Sequence, residues 1–313
     1  MTLALVPFPA DPVTAVTLLE DALRARLAPG EDLRDLLPPL ASAVQGARAL
    51  GGLLREDGEV HGIALWEPAG PVGVWLRLLY LTPAHATVDR YRDALDLVER
   101  TAGPLAFAPG PLAGLTEEEE SSLLRGRGFA PYGRSEMAFP PTAPVPPLAL
   151  PPGTEVRSAR LEDEPILARL HEHAYRDHLD RYLGIEDLDP SRDADRQVRA
   201  CFSGRYGELL IPGSTVVSLD GAVAAAVVAV RVPPRALLVD VMAEPDLHGR
   251  GLGRAAVIAS LRDLRARGEN SIFLNVTEGN RRALRLYSGL GFVRTLGPSK
   301  EWYDARRLKV EPR

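Results

Sequence analysis

The sequence has little of what secreted and membrane proteins require. Cys201 is the only cysteine among 313 residues, so no disulfide can form within the chain and a reducing compartment is expected. The first 15 residues carry no basic side chain, which makes them a poor secretory signal. The longest apolar run, Ala222–Val230, falls well short of the roughly 20 residues of a membrane helix. We expect a cytoplasmic protein with no membrane partner.

An excess of positive charge is also missing. The formal net charge is −5, and residues 1–150 hold 12 Arg against 19 Asp and Glu. Nucleic-acid binders usually present a basic surface, so we expect no nucleic-acid partner. Since the acidic excess lies in the first half, a polyanionic ligand would bind more favourably in the second.

Prolines divide the chain into two nearly equal parts. Residues 140–152 contain seven of them, which disfavours helix and ladder pairing and predicts a stiff, extended linker. The resulting parts, 1–139 and 153–313, show the same order of predicted helices and strands. Leu123–Phe129 in the first also matches Leu286–Phe292 in the second. We therefore predict an α/β (α+β) fold with two tandem domains, each a mixed, mostly antiparallel sheet flanked by helices.

A glycine-rich turn follows an apolar strand in the second half. The strand 236–243 ends before Pro245, and His248-Gly249-Arg250-Gly251-Leu252-Gly253-Arg254 then leads into a predicted helix. Glycines let backbone amides converge on a phosphate, and a helix N-terminus adds partial positive charge. No Lys-Ser/Thr pair follows, so this is not a P-loop, and the spacing is not that of a dinucleotide fingerprint. A tight strand–helix turn without a ligand is the structural alternative.

The segment resembles motif A of the GNAT superfamily of N-acetyltransferases, with His248 where the family usually has Gln or Arg. Leu274–Phe292 resembles motif B of the same family, in the expected order and separation. The resemblance covers about residues 155–308 and extends faintly into the first half. The tandem organisation is similar to that of the mycothiol synthases, although nothing in the sequence identifies their acceptor.

The resemblance implies acetyl-CoA as co-substrate and no metal. The backbone of Val241–Ala243 would pair with the pantetheine arm, and the amides of Gly249–Arg254 would hold the pyrophosphate. Tyr287 would protonate the departing CoA thiolate, whereas its structural alternative is packing on the sheet. The full set of expected cofactor contacts comprises Val241, Met242, Ala243, His248, Gly249, Arg250, Gly251, Leu252, Gly253, Arg254, Asn275, Asn280, Ala283 and Tyr287.

Asp240 and Glu244 are the candidate bases for deprotonating an acceptor amine. Asp240 interrupts an apolar strand, where a carboxylate is costly unless it is paired or functional. A salt bridge to an arginine of a neighbouring strand, such as Arg231, is an equally weighted alternative. Glu244 precedes Pro245 at the strand end, where a solvated carboxylate is the simpler interpretation.

Other polar residues favour structural interpretations. His171, His173 and His178, with Tyr175 and Tyr182, cluster around the first helix of the second half. The i, i+2 spacing of the first two histidines is unsuited to a metal site on a helix, so a solvated helix face is expected, with an acceptor-pocket wall as the alternative. Cys201 is expected to be a small buried hydrophobe, and Glu117–Glu120 a structural helix start.

The first half lacks the phosphate-binding turn. No glycine lies between Ala84 and Ala102, and the strand-to-strand interval there is seven residues shorter than in the second half. We predict a degenerate, non-catalytic domain and a monomer with pseudo-dimeric halves. The leading hypothesis is an N-acetyltransferase in which a small-molecule or peptide amine attacks acetyl-CoA directly. A CoA-binding regulatory module is the alternative, and transfer from aminoacyl-tRNA is disfavoured by the acidic first half.

Overall fold

A computed structural model describes residues 3–8, 11–25, 33–45, 50–68, 73–108, 112, 114–176, 178, 180 and 190–305. The described residues form two compact units. The first unit contains those up to Tyr132 and those from Lys300 onward, and the second contains Gly133–Ser299. These boundaries differ from the predicted ones at 1–139, 140–152 and 153–313, because each unit takes strand residues from the other half of the sequence.

The first unit is a sheet covered by helices on both faces. Adjacent leucines of one strand, Leu53 and Leu54, belong to two different apolar clusters, one packed under the helices at 12–24 and 33–45 and the other under the helices at 88–102 and 117–126. Its elements are β1 (Ala4–Pro7), α1 (Pro12–Arg24), α2 (Leu33–Gln45), β2 (Leu50–Glu56), β3 (Glu59–Pro68), β4 (Val74–Leu81), α3 (Val88–Ala102), β5 (Leu105–Ala108), α4 (Glu117–Gly126) and the start of β6 (Phe129–Phe139).

Strands β1 to β4 pair antiparallel in sequence order, and β4 pairs parallel with β5. The chain end completes this unit, since Trp302 and Tyr303 pair with Ala108 and Phe107 of β5. The indole Nε1 of Trp302 donates to the buried Glu120 carboxylate at 3.0 Å. Glu120 belongs to the acidic start of α4, so that run has a structural role here.

The second unit repeats this arrangement. Its further elements are β7 (Thr154–Ser158), α5 (Glu164–Tyr175), α6 (Pro190–Phe202), β8 (Glu208–Leu209), β9 (Thr215–Leu219), β10 (Ala222–Val232), β11 (Arg235–Ala243), α7 (Leu252–Ala266), β12 (Ile272–Thr277), α8 (Arg281–Leu290) and the first part of β13 (Val293–Asp304). Helices α7 and α8 cover one apolar cluster, and α5 and α6 cover another.

The strand order in this unit is β7, β9, β10, β11, β12, β6, with β8 paired to β10. All pairs are antiparallel except β11 with β12. Residues 140–152 lack regular structure, but Ala143, Val145 and Leu148 pack against the core of this unit. The predicted fold class, with two mixed sheets flanked by helices, is confirmed. No helix within the described ranges is long and apolar enough to cross a membrane.

Candidate active site

Two parallel strands of the second unit diverge and open a cleft. Within the described ladder, β11 and β12 pair only where Ala236 and Leu237 face Ile272 and Phe273. From Leu238 onward the backbone of β11 therefore has one edge free of β12. A free strand edge can pair with an extended, amide-bearing ligand.

The turn after β11 presents the start of α7 to this cleft. Gly249 and Gly251 have φ values of +84° and +82°, and a Cβ on either would meet no atom within 4 Å. Gly251 is the N-cap of α7 and makes no side-chain capping bond. By helix geometry the first-turn amides lack intrahelical partners, so they remain as donors for an anion. Both glycines are therefore favoured by their left-handed backbone conformation, and the space beside each is open.

The cleft has a volume of about 820 Å³. Every cofactor contact expected from the sequence lines it except Arg250. Asp240 and Glu244 are not among the described residues that line the cleft. Each bonds to a side chain that does line it, Asp240 to Tyr175 and Glu244 to His173. Asp180, Arg281, Arg282 and Arg285 also line the cleft and were not predicted from the sequence. The adjacent Arg281 and Arg282, directly after a helix cap, could have indicated the positive charge there.

Helix α8 brings Tyr287 and Asn280 to the cleft. Asn280 is the N-cap, and its Oδ1 accepts from the Ala283 amide at 3.0 Å, which leaves its amide nitrogen as a donor. Tyr287 is 7% exposed. Burial, together with the negative charges of Asp240 and Asp180, raises the pKa of Tyr287 well above its ordinary value. The phenol therefore stays protonated throughout the neutral range.

Asp240 is held by two side chains of α5. Its Oδ2 accepts from His171 Nδ1 at 2.7 Å, and its Oδ1 accepts from the Tyr175 hydroxyl at 2.8 Å. The expected alternative, a salt bridge to Arg231, is wrong. Asp240 lies opposite Val228 in the ladder, while Arg231 lies opposite Ala236 and pairs with Glu208 and Glu269. Although burial opposes it, the Asp240 carboxylate raises the pKa of His171.

Glu244 is also paired, contrary to the expectation of a solvated carboxylate. His173 Nδ1 lies 3.1 Å from its Oε1, and the Glu244 side chain is 27% exposed. The i, i+2 spacing therefore sends His171 and His173 to two different carboxylates, Asp240 in β11 and Glu244 directly after it. The His171 side chain is 17% exposed and departs from the expected solvated helix face, whereas that of His173 is 43% exposed. Tyr182 lies outside the described residues.

A third imidazole–carboxylate pair lies on the same side of the cleft. His178 Nδ1 is 3.2 Å from Asp180 Oδ2, and Thr277 of β12 also donates to Asp180. Burial opposes ionisation of Asp180, but the bonds from His178 and Thr277 hold its pKa below the ordinary value. Among the described residues, no group of three or more His, Cys, Asp or Glu side chains is arranged as a metal site.

The opposite side of the cleft is basic. Arg254 of α7 and Arg281, Arg282 and Arg285 of α8 line it. Arg282 donates to the imidazole Nδ1 of His248. Burial and this guanidinium lower the pKa of His248, so the ring is neutral. The cleft thus has a cationic side at the start of α7 and a side with three carboxylates near α5, with Tyr287 lining the cavity between them.

The corresponding region of the first unit is closed. There the parallel strands β4 and β5 are joined through α3, as β11 and β12 are joined through α7. The Leu81 amide at the end of β4 donates to the Tyr91 hydroxyl at 3.2 Å, and Tyr91 is fully buried. The N-cap of α3, Thr87, accepts from the Arg90 amide with its own side chain. In the first unit a protein side chain therefore bonds to the strand end and another caps the helix start.

Comparison with known proteins agrees with this geometry. Residues 171–292 match the acetyltransferase (GNAT) family. The mycothiol acetyltransferase of Thermomonospora curvata is 29% identical over 284 residues, which cover 86% of this chain and 88% of the relative. That of Thermobispora bispora is 32% identical over 160 residues, which cover 50% of this chain and 52% of the relative.

Solved structures show the same fold. A GCN5-related N-acetyltransferase from Sphaerobacter thermophilus aligns with 95% of this chain and 94% of its own, with a TM-score of 0.58 and 16% identity. A tandem GNAT protein from the clavulanic acid biosynthesis pathway aligns with 96% of this chain and 97% of its own, with a TM-score of 0.51 and 16% identity. The resemblance predicted from the two motifs is confirmed: the chain contains a domain that matches the acetyltransferase (GNAT) family at residues 171–292, and it shares its overall fold with a tandem GNAT protein.

Proposed function

We propose that the chain transfers an acetyl group from acetyl-CoA to a primary amine of a small molecule or peptide, by direct attack of the amine on the thioester carbonyl. The observation that carries the proposal is the cleft between β11 and β12, which joins an anion-binding helix start to a carboxylate-rich pocket. Tyr287 lines the same cavity. A polyanionic donor and a cationic acceptor could therefore approach from opposite sides.

The residues of the basic side fit coenzyme A. The free edge of Val241–Ala243 offers amide and carbonyl groups to the pantetheine arm, and the uncapped start of α7 offers amides to the pyrophosphate. Arg254, Arg281 and Arg285 add full positive charges beside it. When bound, acetyl-CoA supplies the activated acetyl group; the protein contributes position and charge.

The acidic side fits a cationic amine. Three carboxylates near the cleft, each close to an imidazole, favour entry of an ammonium group. The amine must then lose a proton before it attacks, and a carboxylate–imidazole pair is suited to accept it. Tyr287, held protonated by its raised pKa, donates a hydrogen bond to the sulfur as negative charge develops there.

We further propose a single cofactor site per chain, with the first unit non-catalytic. Tyr91 and Thr87 fill its equivalents of the pantetheine edge and the phosphate turn. Isothermal titration with CoA tests this directly, with an expected stoichiometry of one per chain. A stoichiometry of two contradicts the assignment of the first unit.

The activity is tested by thiol release from acetyl-CoA across a panel of primary amines. Because the relatives described above are named mycothiol acetyltransferases, the unacetylated amine precursor of mycothiol belongs in this panel. We expect release with at least one amine, and a fall in kcat of about 10²-fold in Tyr287→Phe, the usual size of a lost proton donor. Tyr303→Phe, which alters a buried phenol of the first unit, serves as matched control. Tight CoA binding without release for any amine contradicts the proposal.

A further inference from the structure

A continuous hydrogen-bonded path leads from the cleft wall to a buried carboxylate. Tyr175 lines the cleft, and its hydroxyl donates to Asp240 Oδ1 at 2.8 Å. Asp240 is only 7% exposed, and its second oxygen is occupied by His171. Asp240, the carboxylate that the sequence suggests as a base, is therefore connected to the cleft through the hydroxyl of Tyr175.

We propose that Tyr175 relays the proton of the acceptor ammonium to Asp240, with His171 holding the carboxylate in place. This inference rests on the proposed acetyl transfer and names the residue that meets the acceptor nitrogen. Since the phenolic O–H is committed to Asp240, the oxygen lone pairs are what Tyr175 presents to a ligand.

The step conserves protons and charge. One N–H bond of the ammonium breaks, its electron pair remains on nitrogen, and the proton moves to the Tyr175 oxygen. At the same time the original phenolic proton moves to Asp240 Oδ1, so that the phenol is unchanged and the carboxylate becomes a carboxylic acid. A cation and an anion are replaced by two neutral groups, which favours the step in a poorly solvated site. The proton returns to solvent by the reverse route after the products leave.

The surroundings of Tyr175 keep it suited to a relay. Burial and the charges of Asp240 and Asp180 raise the pKa of Tyr175 well above that of free tyrosine, so it remains a neutral phenol and does not trap the proton. The His171 ring lies against the Tyr175 ring with centroids 4.5 Å apart. His171 therefore fixes both the orientation of the phenol and the position of the carboxylate. His171 touches neither the acceptor nor the transferred protons and is a positioning residue.

The path is tested with Tyr175→Phe, Asp240→Asn and the double variant, using the amine that supports thiol release by the wild-type chain. Each single change is expected to lower kcat about 10²-fold, with KM for acetyl-CoA within about twofold, since neither group lies on the cofactor side. The double variant is expected to fall no further, because residues that act as one unit are not additive. Tyr206→Phe removes a hydroxyl that bonds Gln197 in the same unit and is the matched control.

Two outcomes overturn the relay: wild-type kcat in Tyr175→Phe, or losses that multiply in the double variant. CoA affinity measured by titration separates a folding defect from a chemical one, and Asp240→Asn tests the same path if Tyr175→Phe does not fold. Absence of thiol release in the wild type with every amine refutes the proposed function itself. The two failures are thus distinguishable.

Discussion

At the scale of single residues, the carboxylates of the cleft share one property: each is partly or fully buried and each lies beside an imidazole. An unpaired buried carboxylate would be costly, and the pairing offsets part of that cost for Asp240, Glu244 and Asp180. Their density makes this side attractive to a cation, and the charges of Asp240 and Asp180 add to burial in raising the pKa values of Tyr175 and Tyr287.

The same environment makes the lone cysteine unreactive. Cys201 is 4% exposed, and burial together with the charge of Asp240 raises its pKa to about 12. Only the thiolate reacts with disulfide reagents, so at pH 8 about one molecule in 10⁴ is reactive by the difference from that pKa. We expect no labelling by Ellman's reagent in the native chain and one equivalent after unfolding in guanidinium.

Cys201→Ala provides the baseline for this measurement and should release the same amount of CoA thiol as the wild type. Rapid stoichiometric labelling of the native chain contradicts a buried, protonated thiol. The expected inertness also means that thiol release can be followed without a background from the enzyme.

The sequence predicted which residue types matter at this scale but not their partners. Asp240 was identified because a carboxylate in an apolar strand demands an explanation. Its partners His171 and Tyr175 lie on a helix more than sixty positions earlier, and no local pattern connects them. Arg231, chosen because it lies on the adjacent strand, is displaced along the ladder by about four residues, or roughly 13 Å.

At the scale of elements, the strand–turn–helix unit β11–α7 was predictable because its chemistry is local. Glycine spacing, the preceding proline and the following apolar periodicity all act within twenty residues. The divergence of β11 from β12 depends on pairing between distant segments, and no pattern within the turn predicts it. In the first unit, closure by Tyr91 could not be predicted either, since the absence of glycine does not reveal which side chain takes its place.

Two glycines of α7 permit a matched test of the turn. Gly251 at the start and Gly268 beyond the end have φ values of +82° and +84°, and an added Cβ meets no atom within 4 Å at either position. Alanine at each should therefore cost about 1 kcal/mol in unfolding free energy through the left-handed backbone alone. Of these two glycines, Gly251 lines the cleft and Gly268 does not. Gly251→Ala alone should therefore weaken CoA binding, by about tenfold, equivalent to about 1.4 kcal/mol.

Thermal or chemical unfolding and CoA titration of the two variants distinguish the effects. Equal losses of CoA affinity in Gly251→Ala and Gly268→Ala show that the effect comes from helix stability. Unchanged affinity in Gly251→Ala contradicts the placement of the pyrophosphate at this turn.

At the scale of the whole molecule, the proline segment marks the middle of the sequence but not a boundary between units. Compact units are defined by where strands pair. The last strand of the first half, residues 133–139, pairs with β12, whereas residues 302 and 303 pair with β5. Composition and periodicity locate strands along the chain, but they do not specify which sheet a terminal strand joins, because that choice depends on pairing over long sequence separations.

This exchange predicts that the half containing the cleft cannot fold from its own sequence alone. The six residues of β6 from Arg134 to Phe139 pair with the six residues of β12. Met137 and Phe139 of β6 are buried in the core of the second unit. Loss of two such side chains costs about 5–10 kcal/mol, comparable with the total stability of a domain of this size, roughly 5–15 kcal/mol.

The fragment 133–299 should therefore melt cooperatively and bind CoA, and the fragment 140–299, which keeps the proline segment but lacks β6, should do neither. Circular dichroism melting and CoA titration of the two fragments measure this. Cooperative melting with CoA binding by 140–299 contradicts the role of β6, and the failure of 133–299 shows that the second unit also needs residues outside it.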